Sequence, residues 1–198
     1  MKKLNYKIVL AWVLISILSW SCSDDDIPEA ENEEEIITDV TLTFSPTAGG
    51  NDITALAQDP DGEGPKELEI AKNIELMANT SYTLTLALEN SIAGESITEE
   101  VEAESDEHMF FFGWTDGLFS NPTGDGNIGT DQRNDPVNYD DSDENAQPVG
   151  LITSWTTGDA GYGTFQVILK HQPGIKSATS TSADGESDVD ITWDITIQ

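Results

Sequence analysis

Residues 188–197 read Asp-Val-Asp-Ile-Thr-Trp-Asp-Ile-Thr-Ile. Val189, Ile191, Trp193, Ile195 and Ile197 alternate with Asp188, Asp190, Thr192, Asp194 and Thr196, the period of a strand with one buried and one wet face. The apolar row needs a second layer to cover it, so this stretch argues for two packed sheets over a single open one. The same period recurs upstream. Phe165, Val167 and Leu169 share a face of 163–171, and 151–157 makes another strand. Tyr82, Leu84, Leu86 and Leu88 oppose Thr83, Thr85 and Glu89, while Val40, Leu42 and Phe44 oppose Asp39, Thr41 and Thr43. A short strand is expected over 53–57. Across 66–78, Ile70, Ile74 and Met77 also fit a helical face, but two strands are expected because Leu68, Ile70, Ile74 and Leu76 share parity. Met109-Phe110-Phe111-Phe112 is apolar on both faces, which predicts a central strand.

Ser96 followed by Glu99 is a capping-box pattern and predicts a short helix from Ile97 to about Glu107, with Ile97 and Val101 inward; an edge strand is the alternative. Residues 116–148 show no periodicity, and Gly, Asn, Asp and Pro recur throughout them. They read as one long acidic loop. Seven or eight strands separated by turn chemistry, with one short helix, predict an all-β fold: an antiparallel immunoglobulin-like or transthyretin-like β-sandwich over 36–198. Trp155 and Trp193 are expected in its core. Phe112, Trp114 and Phe119 read first as core or loop anchors and second as a platform for a sugar.

The N-terminus has a different texture. Lys2, Lys3 and Lys7 precede an apolar run from Ile8 to Trp20 that ends at Ser21-Cys22. A cationic start and roughly 7–15 apolar residues make a secretory signal, and the run falls short of the about 20 that a spanning helix needs. Leu18-Ser19-Trp20-Ser21-Cys22 resembles the lipobox of bacterial lipoproteins, with Ser19 where Leu is usual. That resemblance implies lipidation of Cys22 after removal of 1–21. Ser23-Asp24-Asp25-Asp26 resembles the export signal of Bacteroidota surface lipoproteins, which implies display at the outer face of the outer membrane. Eight acids between Asp24 and Glu35, with Pro28, make 22–35 a self-repelling tether.

The chain carries a formal net charge of −30, and loss of the three lysines in 1–21 takes it to −33. Only Lys66, Lys72, Arg133, Lys170 and Lys176 then remain basic, a balance that excludes nucleic acid as a partner and repels anionic lipid. A covalent anchor therefore suits this surface better than an adsorbing helix. With Cys22 the sole cysteine, no disulfide can form within the chain.

Two groups of residues carry candidate chemistry. Asp59-Pro60-Asp61-Gly62-Glu63-Gly64 sets acids at alternate positions with Gly at the sixth, as in the first half of a calcium loop, although Ile70 stands where a bidentate Glu would close it. Asp141, Asp143 and Asn145 repeat the spacing without the glycine, and Asp125 with Asp131 repeats it more weakly. The alternative for all of them is a hydrophilic turn. Glu104 and His108 are four apart and share a helical face, while His171 ends the row of Phe165, Val167 and Leu169. If the Phe110 and Val167 strands are neighbours, His108 and His171 meet at one sheet end, and with Glu104 they form a His/His/carboxylate set for a divalent transition metal. The alternative is two separate surface or capping histidines. No nucleophile setting and no phosphate cradle is evident, so a non-enzyme is expected.

Ile36–Phe44, Ala78-Asn79-Thr80-Ser81-Tyr82, Ile97–Val101 with Glu107-His108, and Leu169–Pro173 resemble a family of small Bacteroidota lipoproteins often labelled type 1 periplasmic-binding-fold superfamily. The label implies a parallel α/β architecture, whereas the strand alternation implies an all-β one; the resemblance implies no particular activity. Two functions are expected from different classes. One is a surface-anchored binding module for a metal ion or small ligand, accessory to an outer-membrane transporter. The other is a structural or adhesive surface domain with calcium-stabilised acidic loops.

Overall fold

The computed structural model describes residues 36–59, 68–124 and 137–198. Strands β1 (Asp39–Pro46), β2 (Ile53–Gln58), β3 (Glu69–Lys72), β5 (Ser81–Asn90), β8 (Phe119–Asn121) and β10 (Ile152–Thr157) form one sheet in the order β3-β2-β1-β5-β10-β8. Two-residue strands β6 (Glu95–Ser96) and β9 (Asn138–Tyr139) add to β5 and β10. The second sheet runs β4 (Ile74–Leu76), β12 (Glu186–Ile197), β11 (Gly161–His171), β7 (His108–Trp114). All pairings are antiparallel except β4 with β12. The chain is therefore all-β, and the parallel α/β architecture is not the one it adopts.

The alternation explains how the sheets face each other. Val40, Leu42 and Phe44 stand opposite Leu88, Leu86 and Leu84 across β1 and β5, and all six are buried. Val189, Ile191, Trp193, Ile195 and Ile197 supply the buried row of β12. The two layers meet at Trp155, whose ring touches Phe119 from its own sheet and Phe112, Trp114 and Phe165 from the other, at centroid separations of 4.9–5.7 Å. Its indole N–H donates to Thr153 Oγ1 at 2.7 Å, so the polar handle is satisfied in the core. Phe112, Trp114 and Phe119 are thus core residues, as the first of their two readings had it.

Several expectations shift. The Met109–Phe112 strand, expected to be central, is the edge strand β7. Phe110 and Phe112 face the core between the sheets, while Met109 and Phe111 pack outside with Ile168 and Tyr139. Residues 137–150 lie along the edge itself. Phe110 N–H donates to Val149 O at 2.7 Å, and Tyr139 O–H donates to Phe110 O at 2.9 Å. A loop that covers an open edge removes the need for a further strand. Gly150 permits the close approach: it has φ +95°, and a Cβ there would lie 2.9 Å from Phe110 Cβ.

The stretch 116–148, expected to be a loop throughout, contains β8, β9 and a bridge between Ser142 and Pro148. These pieces take their pairing from β10 and from each other, not from an apolar pattern of their own. Ile70 shares parity with Ile74 and Leu76, yet it is exposed, because β3 and β4 belong to different sheets. The helix, α1 (Ile97–Ala103), is capped by Ser96 Oγ accepting from Glu99 N–H, as the pattern predicts. It stops four residues early and gives way to a turn over 104–107.

Candidate metal centre

Strand β7 begins and β11 ends at the same level of the second sheet, and their register pairs His108 directly with His171. Both side chains continue inward-facing rows, His108 after Phe110 and Phe112, His171 after Leu169 and Val167. The two imidazoles therefore close one end of the core. His108 is fully buried and His171 nearly so. Their rings stack with centroids 4.5 Å apart and planes within 8° of parallel. The turn after α1 brings in Glu104, and one potential ligand atom from each of Glu104, His108 and His171 lies within 4.8 Å of the others.

The hydrogen bonds fix the tautomers. His108 Nδ1 lies 3.2 Å from the Glu104 carbonyl, which can only accept, so Nδ1 carries the proton and Nε2 the lone pair. That Nε2 faces Asp188 Oδ2 at 4.0 Å. His171 Nε2 lies 3.2 Å from Glu107 Oε2, which assigns the proton to Nε2 and the lone pair to Nδ1. Each ring thus has one nitrogen held by an oxygen acceptor and one able to ligate, the arrangement that orients metal-binding histidines. Burial, and next the neighbouring His171, push the His108 pKa down to about 4 against the opposing pull of Glu104 O and Glu107, so the ring is neutral at pH 7.

The geometry also sets a condition. Lone pairs lie in the ring planes, so ligation of one ion by both rings requires them to tilt out of the stack. Ligand atoms on one zinc-like ion lie about 3–3.5 Å apart, so the set must also draw inward by about 1 Å.

Glu107 and Asp188 were not singled out in the sequence. Glu107 precedes His108 and carries no periodic signal. Asp188 lies in the outward row of β12, yet it is buried. The reason is a bulge: Leu169 pairs with Val189 but Lys170 with Ser187, so Asp188 is the extra residue and is turned towards the histidines. Gly185 holds the strand entry close to β11. A Cβ there would fall on the His171 carbonyl, and its φ is +76°.

The acidic candidates are deployed differently. Asp59 follows β2, buried, with its N–H donating to Thr38 O at 2.7 Å. Asp61 and Glu63, like Asp125, Asp131 and Cys22, lie outside the described residues. Asp141 accepts from Gly150 N–H and Leu151 N–H, both at 2.9 Å, and burial pushes its carboxyl up. Asp143 Oδ1 accepts from Asn145 N–H at 2.9 Å and Gln147 N–H at 2.8 Å. Its Oδ2 meets Lys176 Nζ at 3.0 Å, with both side chains 1% exposed. Asn145 is exposed and contributes its backbone, not its side chain, to Asp143. The positive charge that these acids face is thus the Lys176 ammonium, which also donates to Ser105 O.

Among the described residues no helix is long and apolar enough to cross a membrane. No family model, curated protein or solved structure matches this chain, so the chemistry of the site alone supports a function.

Proposed function

We propose that this chain is a lipid-anchored surface module, of the kind found among Bacteroidota lipoproteins, that binds a divalent transition metal and is not an enzyme. Its ligands are His108, His171 and Glu104, with Glu107 orienting His171 and Asp188 Oδ2 4.0 Å from His108 Nε2. The supporting observation is the convergence of one potential ligand atom from each of the three residues within 4.8 Å, beside rings that each have one nitrogen held by an oxygen. Two imidazoles and a carboxylate suit zinc-like ions better than calcium, which prefers six to eight oxygens. A module of this kind serves an outer-membrane transporter by holding the ion at the cell surface.

Metal analysis and titration calorimetry of the full chain with zinc, cobalt and calcium salts test the ligand set. One equivalent of zinc or cobalt is expected to bind. His108→Ala and His171→Ala should each weaken binding by a hundredfold or more, while Glu104→Ala weakens it less. Binding of calcium alone, indifferent to both histidine substitutions, would replace this reading with that of a calcium-stabilised structural domain. The anchor is tested separately. Cys22→Ser should move the protein from the membrane fraction to the soluble one, and retention in the membrane would remove the lipid-anchor part of the proposal.

A further inference from the structure

The Lys176–Asp143 pair lies apart from the histidine cluster, and its surroundings suit more than an ion pair. Lys176 Nζ is 3.0 Å from Asp143 Oδ2, and neither side chain reaches solvent by more than 1%. The Ser105 carbonyl accepts from the same nitrogen and fixes where it points. The other oxygen of Asp143 is held by two backbone N–H groups, from Asn145 at 2.9 Å and Gln147 at 2.8 Å. Two converging amides on one carboxyl oxygen, at these distances, are the donor arrangement that stabilises an oxyanion in acyl transfer. A lysine held against a carboxyl in this way has a nitrogen nucleophile and an acyl carbon side by side once one proton has moved between them.

We infer that Lys176 and Asp143 close an intramolecular isopeptide bond. The reaction starts when the ammonium passes one proton to Oδ2 within the pair, which replaces two charges by none. The Nζ lone pair then attacks Cγ and forms the C–N bond, while Oδ1 carries the negative charge between the amides of Asn145 and Gln147. As the carbonyl reforms, the C–Oδ2 bond breaks, and nitrogen gives up a second proton to the departing oxygen. One ammonium and one carboxylate become one amide and one water. No oxidant or further reactant is consumed, and the net charge of the chain is unchanged.

The bond falls at a place where it matters. Asp143 belongs to the segment that covers the open edge of β7, and Lys176 to the turn that follows β11. The amide would pin the cover to the sheet in a chain whose only cysteine is Cys22.

The full chain, digested with trypsin and a glutamate-specific protease together, provides the test. Cleavage after Arg133, Glu144, Lys170 and Glu186 separates 134–144 from 171–186 by removing 145–170. The expected result is one species joining those two peptides, lighter than their sum by one water and uncut at Lys176, with fragmentation placing the link at Asp143 and Lys176. In Lys176→Arg, 134–144 should appear unlinked at full mass, with 171–176 and 177–186 as separate peptides. Unlinked 134–144 and cleavage after Lys176 in the wild-type chain would overturn the inference. Loss of water confined to an Asp-Gly pair, such as Asp184-Gly185, would overturn it too. Because the decisive map is of the wild-type chain, a variant that fails to fold does not obscure the answer.

Discussion

Lys176→Met is expected to destabilise the fold by about 3–5 kcal/mol, the cost of leaving a buried carboxylate without its counter-charge. Methionine fills most of the space of the lysine stem, so little of the loss comes from a cavity. What remains is Asp143, whose side chain is 1% exposed and whose Oδ1 is committed to the amides of Asn145 and Gln147. Burial alone would raise the Asp143 carboxyl. The Gln147 amide and Lys176 outweigh that and hold it below the usual carboxylate range. Once Lys176 is gone, the carboxyl must either protonate or draw water into the segment that covers β7. Denaturant unfolding at neutral pH reads the loss. A double-mutant cycle separates charge from packing, since the pair Lys176→Met and Asp143→Leu should cost less than the two singles added, by about 1–3 kcal/mol. Strict additivity would mean that the two side chains are not coupled. Lys176→Arg keeps the charge but cannot close the amide, so it shows how much of the loss survives without covalent chemistry.

That pair was invisible in the sequence, whereas the fold around it was not. Strands β1, β5 and β12 announce themselves because each has one polar and one apolar face, and such alternation has only one economical use. Strand β7 misleads because apolarity on both faces has two causes. A central strand produces it, and so does an edge strand over which the chain folds back, as Tyr139 and Val149 do here. Strands β8 and β9 leave no trace, since two or three residues paired to β10 need no pattern of their own.

The site divides along the same line. His108 and His171 end two inward rows, so their meeting followed once the rows were taken as neighbours. Asp188 stands among outward acids and is buried only because a one-residue slip in the β11–β12 ladder turns it. Lys176 and Asp143 lie in turns far apart in the chain, where neither parity nor spacing carries information. Asp141 and Asp143 had the alternate spacing of a calcium loop. Spacing alone could not reveal that backbone amides and an ammonium occupy their oxygens.

Acid should undo the protein in a window that the histidine pair sets. The His108 pKa lies at about 4 in the folded chain against 6.5 in the unfolded one, first because burial disfavours the charged ring and next because His171 adds a like charge when protonated. Lys176 pushes in the same direction, while the Glu104 carbonyl and Glu107 pull the other way. Since the folded value is depressed, the unfolded chain binds the proton first as pH falls. The contribution is complete above pH 6.5 and is lost progressively down to pH 4, at up to about 1.4 kcal/mol per pH unit and about 3 kcal/mol in all. Where the amide to Lys176 has not closed, the depressed carboxyl of Asp143 adds its own loss below the usual carboxylate range, whereas Asp141, pushed up by burial, acts in the opposite direction. The span from pH 6.5 to 5 therefore belongs mainly to His108. Unfolding free energies of the chelator-treated protein at pH 7.5, 6.5, 5.5 and 4.5 should fall along that slope. His108→Asn should be less stable at neutral pH but flat between 6.5 and 5. A wild-type profile already flat over that interval would mean that the ring is solvated in solution, and the stacked pair closing the core would have to be abandoned.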